Sequence, residues 1–292
     1  MLSYTSIYEL CKEADKQNKK ISEIVLNDEA LQMEQTEQAL FDKMAENFKI
    51  MCQAVNEGKK PDLRSTSGLT GGDAAKMEKY AQTGGLCGSF LNLAIMKAIA
   101  VSEYNAAMGK IVAAPTAGSC GILPACIISM LESGKCDEKQ AIMSLFTAGA
   151  FGMVIAQKAS VAGAEGGCQA ECGSASAMAA ACLVELAGGT PEQSANACAM
   201  AIKNQLGLVC DPVAGLVEIP CIKRNVSGTV IAFSSAEMAL AGVESKIPAD
   251  ECIIAMKQVG ASLPCSLRET SQGGLAITPT GLKLKQQVFG AK

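Results

Sequence analysis

Between residues 28 and 57, apolar side chains recur three and four positions apart. Leu40, Phe41, Met44, Phe48, Met51, Cys52 and Val55 carry the pattern, with acids and lysines between them. That period is one face of a helix. Gly58 followed by Lys59-Lys60-Pro61 is a stop signal. The spacing predicts one long surface helix over 28–57. It makes 1–60 an N-terminal helical arm, packed on the main body or on a partner subunit.

The same reading continues downstream. Leu91, Ala94, Ile95, Ala98 and Val101 predict a helix within 86–108, and Pro124 to Leu131 an apolar one. Asp137 caps a helix running to about Ala156, apolar nearly all round and therefore buried. Residues 168–187 are mostly Ala, Cys, Met and Ser, small enough for close helix contacts at the centre of a bundle. Thr190-Pro191-Glu192-Gln193 opens another helix with a cap, a first-turn proline and a glutamine three on. Further helices are predicted over 228–244 and from Pro248-Ala249-Asp250 to near Gly260. That makes roughly ten helices and no sheet. The predicted fold is all-α, a compact multi-helix single domain spanning 1–292.

Composition agrees. Aromatics are 4% of the chain and Trp is absent, so the core must be built from Ala, Leu, Ile, Val and Met, which suits helices better than strands. The net charge of -4, with no basic run or aromatic ladder, argues against nucleic acid as a partner. Residues 111–131 are uncharged and long enough to span a bilayer, but Pro115, Gly118, Gly121 and Pro124 break them. A buried loop leading into a buried helix fits better than a membrane span. The opening residues, MLSYTSIYELCKEADKQNKK, have no apolar secretory core. With fourteen cysteines, this points to a reduced, cytoplasmic protein in which most thiols are core residues.

Three loops are rich in glycine and hydroxyls. Arg64–Lys76 holds Ser67, Thr70 and Gly71-Gly72 ahead of Asp73, a candidate helix cap. Ala113–Gly121 holds Thr116 and Ser119. Ser266–Ala276 holds Arg268, a candidate carboxylate partner or a surface residue. A Ser/Thr/Gly loop feeding a helix offers N–H groups to an anion, or is an ordinary turn. The P-loop spacing is missing.

The chemistry converges on Asn204–Asn225. Cys210 and Cys221 flank Asp211-Pro212, Gly215 and Pro220, which exclude a continuous helix and predict that both thiols sit on an irregular loop. Cys168 lies upstream in GAEGGCQAECGSASA; Cys172, four residues on, reads as a core cysteine. The chain has no histidine, which excludes Ser-His-Asp, Cys-His and His-zinc sites, and it has no CxxC. Widely spaced thiolates suit an iron–sulfur cluster, and structural cysteines are the alternative. Three thiolates on a four-iron cluster would leave one iron open as a Lewis acid, which is dehydratase chemistry.

The motifs STSGLTGGDAAK, APTAGSCGILPA, EGGCQAECGSA and GLVCDPVAGLVEIPCIKRN resemble the iron–sulfur-dependent L-serine dehydratase family, its α chain, from about Ile21 to Gln286. The resemblance implies deamination of L-serine to pyruvate and ammonia with a 4Fe-4S cluster and no pyridoxal phosphate. It implies Cys168, Cys210 and Cys221 as cluster ligands. The third motif reads Ile219-Pro220-Cys221 here, a mild departure that keeps the cysteine. Some family members end in a cysteine, whereas this sequence ends Gly290-Ala291-Lys292. A histidine-bearing β chain or domain accompanies the α part in the family, so the proton-abstracting base is expected on a β chain. Ser67, Thr70, Gly71, Gly72, Thr116 and Ser119 are the candidates for holding the serine carboxylate. Two other readings are a cysteine-rich helical scaffold or regulatory subunit, and a related desulfidase acting on cysteine.

Overall fold

The computed structural model describes residues 4–290. The expectations drawn from the chain's first three residues and from Ala291 and Lys292 lie outside it. Thirteen α-helices are present among the described residues: α1 (Ile7–Gln17), α2 (Ile21–Gln32), α3 (Glu37–Gly58), α4 (Asp73–Ala81), α5 (Gly88–Ala106), α6 (Ile122–Glu132), α7 (Glu138–Lys158), α8 (Gly163–Gly166), α9 (Ser174–Leu186), α10 (Pro191–Lys203), α11 (Cys221–Leu240), α12 (Ala249–Ser262) and α13 (Pro279–Phe289). No strand forms among them; a single parallel bridge joins Cys210 and Arg268. The fold is all-α, as composition and periodicity predict.

Helix α9 is the axis of the molecule. Residues 174–185 are all buried, so no face of it meets solvent. Its sequence, SASAMAAACLVEL, explains how. Side chains this small let α6, α7, α10 and α11 pack around it on every side. Helix α7 is long and apolar enough to cross a membrane, but 67% of that stretch is buried in this core, where it packs on α9 and α2. The uncharged run 111–131 becomes a loop feeding α6, whose residues 122–130 are buried.

Two of the predicted caps form. Asp137 and Gln140 form a reciprocal capping box on α7, and Thr190 and Gln193 one on α10. Other boundaries differ. The periodic stretch 28–57 is two helices: α2 ends at Gln32, Glu34 takes φ 53°, and Thr36 restarts the chain by accepting from Ala39 N. Helices α1 and α2 pack on the main body, α1 on α10 and α12 and α2 on α7, with Ile7, Leu10, Ile21 and Val25 fully buried or nearly so. Gly58 is more than a stop signal. A Cβ there would lie 1.9 Å from the Ala100 carbonyl oxygen, so glycine is what lets α3 touch α5. Helix α11 begins at Cys221, not near 228, because Pro220 fits the position before a helix and the chain turns straight into it.

Candidate functional site

The three cysteines come from three separate segments. Cys168 follows α8 and opens a π-helical turn, Gln169–Gly173, that leads into α9. Cys210 lies on the extended stretch before Pro212, and Cys221 is the first residue of α11. The sequence placed both of these thiols on the loop. In the structure only Cys210 is there, and Cys221 is anchored to a rigid helix. Cys168 and Cys210 are buried and Cys221 is half-buried.

Sequence-distant hydrogen bonds fix each segment. The Gln169 side chain donates to Met256 O at 2.9 Å and accepts from Gly207 N at 2.9 Å, while its backbone N–H donates to Leu208 O. This ties the Cys168 turn to the approach to Cys210. Cys210 N donates to Leu267 O, and Glu269 N donates to Cys210 O. Asn225, one turn beyond Cys221, donates to Cys221 O at 2.9 Å and Gly118 O at 2.8 Å, and accepts from Gly121 N at 2.9 Å. The loop 113–121 is thereby locked to the start of α11.

The thiols share one electrostatic environment. Cys210 and Cys221 each feel the charge of Cys168, of each other or of both, and all three feel Glu171. Burial first, then the Cys168 charge, pushes the Cys221 thiol up to about 12 and raises Cys210 further. Cys168 is the exception. Its sulfur lies 3.4 Å from that of Cys172. That hydrogen bond, then the Arg224 guanidinium, favours charge on Cys168, while Cys172, fully buried behind it, keeps its proton. Among the described residues no three acidic, Cys or His side chains close on a single ion. A cluster makes a different demand, because it holds its cysteines apart across a core of iron and sulfide. Three cysteines from three rigid segments, with no histidine in the chain, fit that demand in donor chemistry.

A carboxylate accompanies each cysteine, and sequence reasoning missed their role. Asp211 follows Cys210; it pairs with Arg224 at 2.7 Å and accepts from Leu275 N at 2.7 Å. Arg224 also donates to Val209 O at 2.7 Å. Gly274 has to be glycine: a Cβ there would lie 2.3 Å from an Asp211 oxygen, at φ +57°. Glu218 precedes Cys221 by three; it is 5% exposed and accepts from Ser67 Oγ at 2.8 Å and Thr70 Oγ1 at 2.6 Å. Glu171 follows Cys168 by three and accepts from Thr116 Oγ1 at 2.6 Å. The signal was present as an acid within three residues of each of the three cysteines.

These contacts place the other predicted residues. Ser67 and Thr70 have their hydroxyls on Glu218. Thr116 has its hydroxyl on Glu171, and Ser119 is fully buried with its own hydroxyl 3.2 Å from that of Thr116. Gly72, not Asp73, is the cap of α4, at φ 80°. The N–H groups of Asp73 and Ala74 point at the buried Glu103 carboxylate, which neutralises that helix end. Asp73 instead pairs with Lys76 and Lys223. Arg268 donates to Ala261 O and Leu263 O, closing the end of α12, so it is not free for a substrate. Gly71 is half-buried, and a Cβ there would lie 2.3 Å from the Leu63 carbonyl oxygen. Its N–H makes no hydrogen bond among the described residues, and with Thr70 it lines a cleft of about 520 Å³ that also holds Arg64, Asp73, Lys76, Glu218 and Lys223.

Residues 16–276 match the family model described as serine dehydratase alpha chain. The chain is 50% identical over 288 residues to a probable L-serine dehydratase, alpha chain, of Bacillus subtilis, covering 98% of this chain and 96% of the relative. It is 47% identical over 268 residues to the L-serine dehydratase, alpha chain, of Peptoniphilus asaccharolyticus, covering 91% and 92%. An L-serine dehydratase of Streptomyces coelicolor is 47% identical over 182 residues, which is 62% of this chain but only 40% of that longer relative. With the motif-bearing segments folded onto one site and the match running through all of them, the chain belongs to the serine dehydratase alpha-chain family.

Proposed function

We propose that this chain is the catalytic α chain of an L-serine dehydratase that converts L-serine to pyruvate and ammonia together with a β chain in the cytoplasm. Cys168, Cys210 and Cys221 hold a 4Fe-4S cluster, and no pyridoxal phosphate is involved. When bound, such a cluster supplies a Lewis-acidic iron that eases departure of a hydroxyl. The observation that carries the reading is the meeting of these three thiols from three segments in a chain of this family.

The chain's own residues bind and orient. Arg64, Lys76, Lys223 and the Gly71 N–H offer a carboxylate positive groups in the cleft beside Pro220, against Asp73, which pairs with both lysines, and Glu218, which also lines it. Ser67 and Thr70 hold the loop on Glu218 and so position Gly71 against the start of α11. Asp211 and Arg224 keep the Cys210 segment rigid, which spares the site reorganisation during reaction. The chain has no histidine. The base that takes the α proton is assigned to the β chain, as the family resemblance implies. Loss of the proton and the hydroxyl leaves aminoacrylate, which tautomerises to an imine and takes up water to give pyruvate and ammonia.

The test is pyruvate formation from L-serine by the α and β chains co-purified without oxygen, with L-cysteine as the competing substrate. Saturable pyruvate release from serine is expected, falling more than about a hundredfold when the β chain is omitted. Full activity of the α chain alone would place the base on this chain, and turnover of cysteine only would replace the dehydratase reading by a desulfidase.

A further inference from the structure

Three carboxylates border the candidate site, and two are fully engaged. Asp211 has a cation and a backbone N–H, and Glu218 has a hydroxyl on each oxygen. Glu171 differs. One of its oxygens accepts from Thr116, and the other has no hydrogen bond among the described residues. None of the ion pairs among those residues includes it. The charge it feels is that of another acid, Glu269, and the three thiols feel Glu171 in turn.

The surroundings keep this carboxylate in place without covering it. Gly118 and Gly163 flank it: a Cβ on either would come within 3 Å of a Glu171 oxygen, and one on Gly163 would also lie 3.2 Å from Cys210 Sγ. Two neighbouring segments thus leave room for the carboxylate beside a candidate ligand. Glu171 sits on the π-helical turn after Cys168, and such single turns recur where a helix is distorted for function. Its second oxygen is not among the buried unpartnered atoms, so it stays open to a positive group on a ligand.

On the proposed serine reading, the arriving positive group is the substrate's own. We infer that Glu171 receives the α-ammonium of the amino acid and selects it over the corresponding hydroxy acid. Thr116 is then a positioning residue, fixing one oxygen so that the other points at the ligand.

The experiment compares L-serine with L-glycerate, which carries a hydroxyl in place of the ammonium. Serine affinity is taken from its KM in steady-state turnover, L-glycerate affinity from calorimetric titration into the cluster-loaded α/β complex, and iron content is measured alongside. Wild type is expected to prefer serine. Glu171→Gln should weaken serine at least about tenfold while changing glycerate less than about twofold, with iron retained. Glu171→Asp, which keeps the charge, should recover part of the preference. Unchanged serine affinity in Glu171→Gln, or equal weakening of both ligands, overturns the assignment. A wild-type complex that binds neither ligand overturns the serine reading itself, and this assignment with it.

Discussion

The bundle around α9 and the loops at its end bury polar groups by opposite means. In the bundle, hydroxyls fold back on nearby backbone: Ser176 donates to Cys172 O, Ser144 to Ala141 O and Thr229 to Asn225 O. Four buried hydroxyls there and in neighbouring helices, of Ser22, Ser129, Ser174 and Ser235, have no partner among the described residues. Close packing carries that region, so a lost hydroxyl bond is tolerated. At the site, the carboxylates are held from across the chain, as Glu185 also is in the bundle by Ser22 N and Thr147. Glu218 is held from Ser67 and Thr70, about 150 positions away, Asp211 from Leu275 and Glu171 from Thr116. The bundle is held by volume, and the site by charge and direction.

The comparison can be broken by substitution. The largest effect on stability is expected at the site. Asp211→Ala leaves the mostly buried Arg224 unpaired and should cost about 3–5 kcal/mol in chemical denaturation. A loss under about 1 kcal/mol would mean that the loops are not held by this pair. In the bundle the sensitive variable is volume. Gly58→Ala forces a methyl against the Ala100 carbonyl and should cost about 1–3 kcal/mol without altering iron content. A variant that kept its stability but lost iron would show the two regions to be coupled.

The smallest effect concerns pH. Burial raises the Glu103 carboxyl above the ordinary range, against the pull of the Asp73 and Ala74 N–H groups. The folded state therefore binds this proton more tightly than the unfolded chain does. Its contribution to stability is complete below the usual glutamate pKa, and is lost as pH rises through the raised value. The stability difference between wild type and Glu103→Gln should shift in that window and be flat outside it. Denaturant midpoints measured across pH check this.

Helix type and the small-residue centre were legible in the sequence, because periodicity and side-chain size act locally. The Asp137 and Thr190 caps were legible for the same reason. The break at residues 33–36 was missed because the apolar spacing runs through it, whereas Thr36 and the left-handed Glu34 decide it. The motifs brought the three cysteines forward as candidates. The carboxylates beside them were not singled out, since Glu218 and Ser67 meet only after α4 and α11 have packed on α5. The hydroxyl loops were read as ready for substrate. In the fold most of those hydroxyls face the chain's own acids, which sequence spacing cannot express.

The central claim is that Cys168, Cys210 and Cys221 together hold a cluster. The most direct measurement is iron and acid-labile sulfide in protein purified without oxygen, for wild type and Cys210→Ala, with helicity recorded by circular dichroism. The account predicts about four of each per wild-type chain, loss of both in the variant, and the same helical content in the two proteins. A folded wild type without iron, prepared in this way, would contradict it and leave the three thiols as core residues.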